Sequence, residues 1–495
     1  MKWHALILLL IPFLSLADYI EIRRNAHFYE DSSRHSRSLT SINPDDYTSP
    51  PKFVLARDAQ ENGYYEVYWQ GRTAWVYRTL VRRFEGLPEG VSGPEIGDES
   101  AHEMLPDFIG ADDFDQTEIT DTGLDIYIFD IGQADSMLIL GPTKNGERKS
   151  LLVDLGENLT GAEKTNYQTV KQRIFEITGS FSVDYMIITH FHQDHVGYPG
   201  RGDCANYRSA PINPTGLFAL LADNQQPFKI GTLFDRGESS DVFTPKISQS
   251  HCGIQNILST WIADDKVGQR LVPEIGSSSI DLGENIVLEF LAVDGKVHPD
   301  DLGALDYAQS QRANLYHSNQ SASENDYSLA FELSLGDFEF FSGGDLTGSK
   351  TGKEEEAFLI RRFGENSQVY TNVESYMADY WKTSSRESNV EVYRANHHGS
   401  DHSSNNDLAE ALVPEVVIYS TKGDYGHPSE HVVRKFWYAH QYITTAASNN
   451  TWPNGFPDQY GSVVGEIHIK VSPAGDRYQV NDWIYRSYSD SEESM

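Results

Sequence analysis

Residues 185–200, YMIITHFHQDHVGYPG, combine an apolar run with a dense group of metal-binding side chains. The run YMIIT is typical of a buried strand, and it leads directly into a turn that ends in glycine. His190 and His192 alternate along the chain and point to one side, whereas Asp194 and His195 on the turn face a second point nearby. Imidazole and carboxylate groups at this spacing are common ligands of transition metals. The stretch therefore predicts two adjacent cation sites rather than a solvated histidine loop.

Short β-rich segments alternate with helical patterns on both sides of this turn. The expected elements are strands in IYIFD (126–130), SMLIL (136–140), LLVD (151–154), LAFELSL (329–335), FEFFSGG (338–344) and VVIYS (416–420), and helices over 166–177 and from about Ser429 to His440. Gly336 and Asp337 predict a hairpin between the fourth and fifth of these strands. The alternation is typical of an α/β domain, which we place at residues 124–485.

Several other side chains with metal-binding or acid-base chemistry follow predicted strands. Asp345 comes after a strand and a Gly-Gly pair, where a carboxylate can approach a cation without crowding. Asp154 ends LLVD and could hold a ligating imidazole by its second nitrogen. Asp130 and Asp135 flank a Gly-Gln turn, where they could shape the floor of a site or only stabilise the turn. His427 precedes a helix start, which favours an anion nearby.

Seven motifs in one order connect these residues to a known family. They are FDIGQADSMLI (129–139), LLVDLG (151–156), THFHQDHVG (189–197), NDYSLAFEL (325–333), FSGGDL (341–346), ANHHGS (395–400) and YGHPS (425–429). This set resembles the metallo-β-lactamase superfamily, and within it the hydrolase domain of ComEC-type competence proteins. The resemblance implies an α/β fold of the αββα sandwich type.

The resemblance also implies roles for individual residues. Asp345 would bridge two metals, and either His397 or His398 would be the last histidine ligand. We favour His397 as the ligand, with His398 donating to the substrate. Asp194 would ligate a metal and also orient the attacking water.

One position departs from the pattern of many superfamily members, which supply a third histidine to the first metal. Here the comparable strand reads NDYSL, so Asn325 or Asp326 could substitute, or His317 could reach in. The first site is then short of ligands. We expect one or two Zn²⁺ ions, with Mn²⁺ as an alternative.

The expected activity is hydrolysis by a metal-bound hydroxide, because a bound cation brings the pKa of water to about 7. The ComEC-type likeness favours a phosphodiester substrate, either nucleic acid or a cell-envelope polymer, with Asp194, His398 and His427 as catalytic residues. Hydrolysis of a lactone, a β-lactam or another acyl compound is the enzymatic alternative. A non-catalytic envelope-binding protein is an alternative of a different class.

The first 17 residues, MKWHALILLLIPFLSLA, predict a secretory signal peptide, with an early lysine and small residues before the expected cleavage point. The apolar run is shorter than the roughly 20 residues that span a bilayer, so we expect no membrane span after its removal. The protein should then be secreted or periplasmic. That compartment permits a disulfide between Cys204 and Cys252, although two unrelated buried thiols are the alternative.

Residues 18–85 predict a small all-β domain, because Tyr65, Val67 and Trp69 share one strand face and Trp75 continues on the return strand. The pattern resembles bacterial SH3-like domains, which implies a cell-wall peptide or a protein as ligand. The aromatic residues could equally form only the core of the barrel. Residues 86–123 predict an acidic linker, and residues 486–495 a disordered tail.

The chain is strongly acidic, with 73 Asp and Glu against 39 Lys and Arg among 495 residues, which gives a formal net charge of −34. Such a field opposes close approach of polyanions and argues against a protein that coats nucleic acid non-specifically. Screening over about 8 Å at physiological salt leaves a metal centre free to set its own local potential. A nuclease therefore remains compatible with the charge.

Overall fold

The computed structural model divides the chain into two compact units, Met1–Gln116 and Thr117–Met495. It describes residues 18–30, 32, 38–42, 52–57, 63–69, 72–84, 118–157, 166–199, 214–237, 249–276, 280–297, 305–306, 323–348, 372–383, 390–436, 439–444 and 461–487. The predicted signal peptide, His317 as one of the three candidates for the third ligand, and the Cys204 half of the predicted disulfide lie outside these residues, as does the predicted linker up to residue 117.

The described part of the first unit consists of strands and one short 3-10 turn. The strands are β1 (Tyr19–Ile22), β2 (Ala26–Tyr29), β3 (Ser38–Ile42), β4 (Lys52–Val54), β5 (Tyr64–Trp69), β6 (Arg72–Tyr77) and β7 (Val81–Phe84). They form two sheets, in the orders β4-β1-β7 and β3-β2-β6-β5. The return strand predicted after Trp69 is confirmed, because β5 and β6 pair antiparallel with Trp69 opposite Arg72. The SH3-like assignment stays a prediction.

Two sheets of nine strands each make up the described part of the second unit. The first has the order β13-β12-β11-β10-β9-β8-β23-β24-β25, and the second β16-β15-β14-β17-β18-β19-β20-β21-β22. Their strands are β8 (Leu124–Ile128), β9 (Met137–Leu140), β10 (Ser150–Val153), β11 (Ser182–Ile187), β12 (Lys229–Phe234), β13 (Val267–Leu271), β14 (Ile286–Val293), β15 (Lys296–Val297), β16 (Leu305–Asp306), β17 (Ala330–Leu335), β18 (Phe338–Ser342), β19 (Val392–Arg394), β20 (Val416–Tyr419), β21 (His440–Ile443), β22 (Gly461–Val463), β23 (Ile467–Val471), β24 (Arg477–Val480) and β25 (Trp483–Arg486). The last strand includes Arg486, the first residue of the predicted tail.

One apolar core fills the space between the two sheets. Successive side chains of a strand point to opposite faces, so alternate residues of β9 reach different layers. Met137 and Ile139 join side chains of the second sheet such as Phe331 and Phe340, whereas Leu138 and Leu140 pack on the other side. Strands buried on both faces need near-continuous apolar runs, which explains sequences such as MLIL.

Helices cover the outer faces of both sheets. The helices are α1 (Asn166–Thr178), α2 (Gln193–Val196), α3 (Gly216–Ala222), α4 (Gln249–Ala263), α5 (Val373–Thr383), α6 (Asn406–Leu412) and α7 (Glu430–Lys435). Helices α1, α3 and α4 share a core with the first sheet. Beyond the second sheet, the Tyr393 ring of β19 contacts Phe436 at the end of α7. The α/β class is confirmed, with the layers in the order expected for an αββα sandwich.

The carboxyl end predicted for the helix from about Ser429 to His440 is wrong. It stops at Lys435, and His440 begins β21, which pairs parallel with β20. The run HQYI takes the strand conformation because its backbone completes the second sheet, so tertiary pairing overrides the helical pattern.

Among the described residues, no helix has both the length and the apolar character needed to cross a membrane.

The topology brings two sets of strand ends to one edge of the sandwich. Strands β10 and β11 are parallel neighbours in the first sheet, and β18, β19 and β20 are parallel neighbours in the second. Residues that follow these strands carry most of the side chains singled out from the sequence.

Candidate metal centre

The first histidine turn, residues 190–195, follows β11 and contains the short helix α2. The His195 N–H donates to the His192 carbonyl over 3.1 Å. Gly197 closes the turn with φ +81°, and a Cβ on it would lie 2.3 Å from the Thr215 carbonyl oxygen. Only glycine fits there, because both the conformation and the space exclude a side chain.

Three imidazoles of the first turn lie against one another. His190 and His195 are fully buried with ring centroids 4.1 Å apart, and His190 Nε2 is 3.0 Å from His192 Nδ1. Burial and the neighbouring His195 hold the pKa of His190 well below its ordinary value. At neutral pH the imidazole of His190 is therefore uncharged, the form that binds a metal.

Asp154 orients His195 through its Nδ1 atom, as expected for a residue that holds a metal ligand by the ring nitrogen that does not bind the metal. It has the left-handed φ of +57°, and its carboxylate accepts the Thr189 N–H at 2.8 Å, the Thr189 hydroxyl at 2.7 Å and His195 Nδ1 at 2.8 Å. Burial opposes a charge on His195, but Asp345 and Asp154 outweigh it and raise the pKa of His195 well above its ordinary value. A site that favours imidazolium in this way favours a metal cation for the same reason.

Asp345 lies between the two sheets and reaches histidines from both. Its Oδ1 is 3.0 Å from His195 Nε2, and its Oδ2 is 3.8 Å from His190 Nε2, 3.8 Å from His397 Nε2 and 4.0 Å from His398 Nε2. The pKa of Asp345 is held well below its ordinary value because these imidazoles outweigh its burial. The carboxylate is therefore placed to bridge two cations.

The second histidine turn, residues 396–399, follows β19 in an unusual backbone conformation. His397 and His398 both have left-handed φ values, +49° and +56°, so their side chains diverge. His398 is 1% exposed and its Nδ1–H donates to the Ser420 carbonyl over 2.7 Å, which leaves Nε2 facing the site. The side chain of His397 is 25% exposed.

The donor atoms form two groups, and within each group every donor atom lies within 4.8 Å of every other. One contains Asp135, His195, Asp345 and His398, and the other His190, His192 and Asp345. The geometry therefore favours His398 as the ligand, the reverse of our choice of His397 from the sequence. Asp194 belongs to neither group, but its Oδ2 is 3.4 Å from His398 Nε2.

The donor atoms themselves show that a cation fits. His195 Nε2, His398 Nε2 and Asp345 Oδ1 are buried. His195 Nε2 lies 3.0 Å from Asp345 Oδ1 and His398 Nε2 lies 3.4 Å from Asp194 Oδ2, but neither approach has the geometry of a hydrogen bond, so none of the three atoms has a hydrogen-bond partner among the described residues. A buried polar atom without a partner is costly, and a metal would satisfy these three together. Their type, imidazole with carboxylate, suits Zn²⁺ and also Mn²⁺.

Asp135 is the donor that the sequence did not identify as a ligand. It lies two residues before the start of β9, and its backbone N–H donates to the Asp194 carbonyl over 2.8 Å, which fastens it to the first turn. Its carboxylate contacts the buried guanidinium of Arg394. Both Asp135 and Asp154 approach His195 Nδ1, at 3.5 and 2.8 Å. The available signal was the position of Asp135 within the motif FDIGQADSMLI (129–139). Asp130, on the other side of the Gly-Gln turn, is exposed and lies in neither donor group.

His427 lies at the entrance of the site, next to both residues of the second turn. Its ring centroid is 5.5 Å from that of His397 and 6.3 Å from that of His398. Burial, with the two neighbouring histidines, lowers the pKa of His427 to about 4. The ring centroid of Tyr425, a residue that is 71% exposed, is 6.3 Å from that of His427.

Two of the three candidates for the third ligand of the first metal site, Asn325 and Asp326, lie in the 3-10 turn Glu324–Tyr327. Asp326 is engaged within the fold, because its carboxylate accepts the Ser323 N–H at 2.7 Å and the Thr347 hydroxyl. Asn325 Nδ2 lies 3.4 Å from His397 Nδ1, so its amide faces the entrance rather than the His190 group. Of the two described candidates, only Asn325 is placed next to a predicted site residue.

Comparison with known proteins gives structural likenesses only. No family model matches the chain, and no curated protein is significantly similar to it in sequence. Among solved structures it is similar to CmlA, a diiron β-hydroxylase from Streptomyces venezuelae, with 12% identity and a TM-score of 0.31 over 70% of this chain and 56% of CmlA. It is also similar to Zn²⁺-bound PqqB from Methylobacterium extorquens, with 11% identity and a TM-score of 0.31 over 65% of this chain and 98% of PqqB. Unliganded yeast PDE1 is similar with 11% identity and a TM-score of 0.28 over 66% of this chain and 89% of PDE1. The chain thus spans little more than half the length of CmlA, and at these scores the function has to be argued from its own residues.

Proposed function

We propose that this chain is a metal-dependent hydrolase of the metallo-β-lactamase type that cleaves a phosphodiester. The observation that carries the proposal is the pair of donor groups sharing Asp345, with three buried donor atoms that have no hydrogen-bond partner in the described residues. The order of the seven motifs, with its ComEC-type likeness, supports a phosphodiester over an acyl substrate. Zn²⁺ is the metal we propose, held by His190, His192 and Asp345 and by Asp135, His195, Asp345 and His398.

The chemistry of the proposed reaction divides between the cations and the side chains around them. Zn²⁺ bound by these donors would lower the pKa of water to about 7 and polarise the phosphoryl oxygen. Burial opposes a charge on Asp194, but the neighbouring imidazoles of His398 and His195 outweigh it and hold the pKa of Asp194 well below its ordinary value, so the carboxylate stays ionised. Asp194 would therefore orient the attacking water by accepting its hydrogen bond.

His427 and His397 would contact the substrate at the entrance. Because the pKa of His427 is about 4, its imidazole is neutral at pH 7 and can bind a phosphate oxygen or the leaving oxygen as a hydrogen-bond donor. His397 is the more exposed residue of the second turn and would contact the same group. We further propose that the protein is exported and that its first unit binds a cell-wall peptide or a protein, which the signal-like leader and the SH3-like pattern support.

The test combines metal content with hydrolysis. Metal would be measured by mass spectrometry on the purified protein, on His192→Ala and on the control His440→Ala, together with release of p-nitrophenol from bis(p-nitrophenyl) phosphate. His440 is half-buried, but it begins β21, away from the strand ends that carry the donors. We expect metal and turnover in the parent protein and in His440→Ala, and a loss of both in His192→Ala.

Each other outcome has a definite meaning. Metal without phosphodiester turnover would overturn the substrate proposal and direct the test to lactones and β-lactams. A parent protein without metal would overturn the proposal as a whole.

A further inference from the structure

The geometry points to the Arg236–Glu324 ion pair as a positioning device for the His190–His192 turn. The inference rests on the proposed metal centre and adds a residue pair that touches neither a donor atom nor the substrate. Arg236 follows β12 and its side chain is fully buried. Glu324 begins the 3-10 turn 88 residues further along the chain.

The two side chains meet in a two-point contact. Arg236 Nε donates to Glu324 Oε1 over 2.9 Å, and Nη2 donates to Oε2 over 2.8 Å. The third nitrogen, Nη1, donates to Asp294 Oδ1 over 3.1 Å. The planar fork of a guanidinium matches a carboxylate in this arrangement and fixes its orientation.

The oriented carboxylate then holds the backbone between the two histidines. Glu324 Oε1 also accepts the Phe191 N–H at 3.0 Å, so the peptide that joins His190 to Phe191 is fastened to the ion pair. The guanidinium carbon of Arg236 lies 5.1 Å from the centre of the Phe191 ring and 5.4 Å from that of Tyr327. Phe191 is thus held by its N–H and by its ring.

The contribution of the Arg236–Glu324 ion pair to the stability of the fold does not by itself explain why the pair is present. Removing two charges from water is costly, and an apolar pair of the same volume is often at least as stable. An ion pair specifies an orientation that apolar packing does not. Here the group it orients lies between two of the three donors of one proposed metal site, and the same 3-10 turn presents Asn325 to His397.

A neighbouring ion pair provides a matched control. Asp235 precedes Arg236, is fully buried, and accepts from Arg270 Nε and Nη2, each over 2.8 Å. Its carboxylate also accepts the Gly237 N–H and interacts electrostatically with Arg236, but among the described residues it makes no hydrogen bond to the histidine turns. Asp235→Asn therefore breaks a buried two-point pair at the same place in the fold without touching a donor segment.

The test measures Zn²⁺ affinity by competition with a chromophoric chelator, and the visible absorption spectrum of the Co²⁺ form. We expect Glu324→Gln to lower the affinity of one zinc equivalent about 10- to 100-fold, the range for residues that orient metal ligands, and to shift the Co²⁺ spectrum. Asp235→Asn should leave both unchanged, while both variants lower the thermal midpoint of the EDTA-treated protein by similar amounts.

Equal losses of affinity in the two variants, or a parental affinity in Glu324→Gln, would overturn the inference. If Glu324→Gln does not fold, Glu324→Asp replaces it. That variant keeps the charge opposite Arg236 but withdraws the carboxylate by one methylene from the Phe191 N–H, so it should still lose affinity. A parent protein that binds no zinc would instead overturn the proposed function, so the two failures are distinguishable.

Discussion

The two histidine turns are held in their positions by different kinds of interaction. The first turn, residues 190–195, is fastened by Asp154 and by Glu324, whose charge is matched by Arg236. The second turn, residues 396–399, is fastened by Glu374, whose described hydrogen bonds all come from uncharged donors. These are Asn396 Nδ2 and the backbone N–H groups of Ser404 and Asn405, at 2.7, 2.7 and 2.8 Å.

The difference predicts that the proposed metal centre combines a half whose geometry is independent of pH with a half that is pH-sensitive. A carboxylate paired with a buried guanidinium has its charge matched inside the fold. Glu374 is fully buried and has no ion pair of this kind among the described residues, and burial raises its pKa to about 7 in spite of its hydrogen bonds and the nearby Lys435. We expect the first turn to keep its geometry over a wide pH range, and the support of the second turn to titrate near neutrality.

The largest effect should come from Asp345, the residue that both turns share. Asp345→Ala removes the carboxylate that both donor groups share, so zinc affinity at both proposed sites should fall by more than the roughly 100-fold upper range for residues that orient the ligands. Zinc titration against a chelator measures this. Asp184→Ala, which breaks contacts with Lys149 and Ser150 at the opposite edge, is the control. Loss of only one zinc equivalent would show that the two groups are independent.

The next largest effect concerns Glu374 and separates the two turns by pH. Its pKa is raised, so the fold favours the protonated form, and its contribution to stability is present below about pH 4.5 and lost as the pH rises through about 7. This shift corresponds to about 3 kcal/mol in the free energy of unfolding. Glu374→Gln should remove this dependence, so between pH 5 and pH 8 the EDTA-treated parent should lose stability relative to the variant.

Urea denaturation at the two pH values measures the difference. Glu430→Gln, at an exposed position on α7, is the control and should follow the parent at both values. Parallel behaviour of the parent and Glu374→Gln would mean that the second turn is not supported by a titrating carboxylate.

Asp154→Asn should affect the first turn alone, through His195. Asparagine tolerates the left-handed φ of this position, so the backbone is not strained by the change. The carboxylate that orients His195 is lost, and zinc affinity at the site containing His195 should fall about 10- to 100-fold. The His190 and His192 site should keep its affinity in the same titration. Equal losses at both sites would indicate that Asp154 supports the whole turn.

The sequence predicts the first turn better than the second, for a physical reason. The first turn is local, because a buried strand runs into four donor side chains within six residues and the alternation along the strand predicts where His190 and His192 point. In the second turn two histidines are adjacent, and the left-handed φ of both decides which one enters the site. Nothing in the sequence ANHHGS predicts those dihedral angles.

Contacts between distant segments are the other part that the sequence does not predict. Glu324 and Arg236 are 88 residues apart, and Glu374 is 22 residues from Asn396. Each is an ordinary charged residue in its own segment. Their partners follow only from the topology that brings the ends of β11, β12 and β19 to one edge, and that topology is not written in any single motif.

The smallest effect should come from Ser429, which is hydrogen-bonded to the last residue of the second turn. Its Oγ accepts the Val432 N–H at the start of α7, and its backbone N–H donates to the Gly399 carbonyl over 2.8 Å. Ser429→Ala removes the first contact and keeps the second, so it should cost about 1 kcal/mol of unfolding free energy in urea and leave zinc affinity unchanged. Ser429→Thr, which can retain the cap, should recover most of that stability. If Ser429→Ala weakens zinc binding, the second turn depends on the placement of α7 as well as on Glu374.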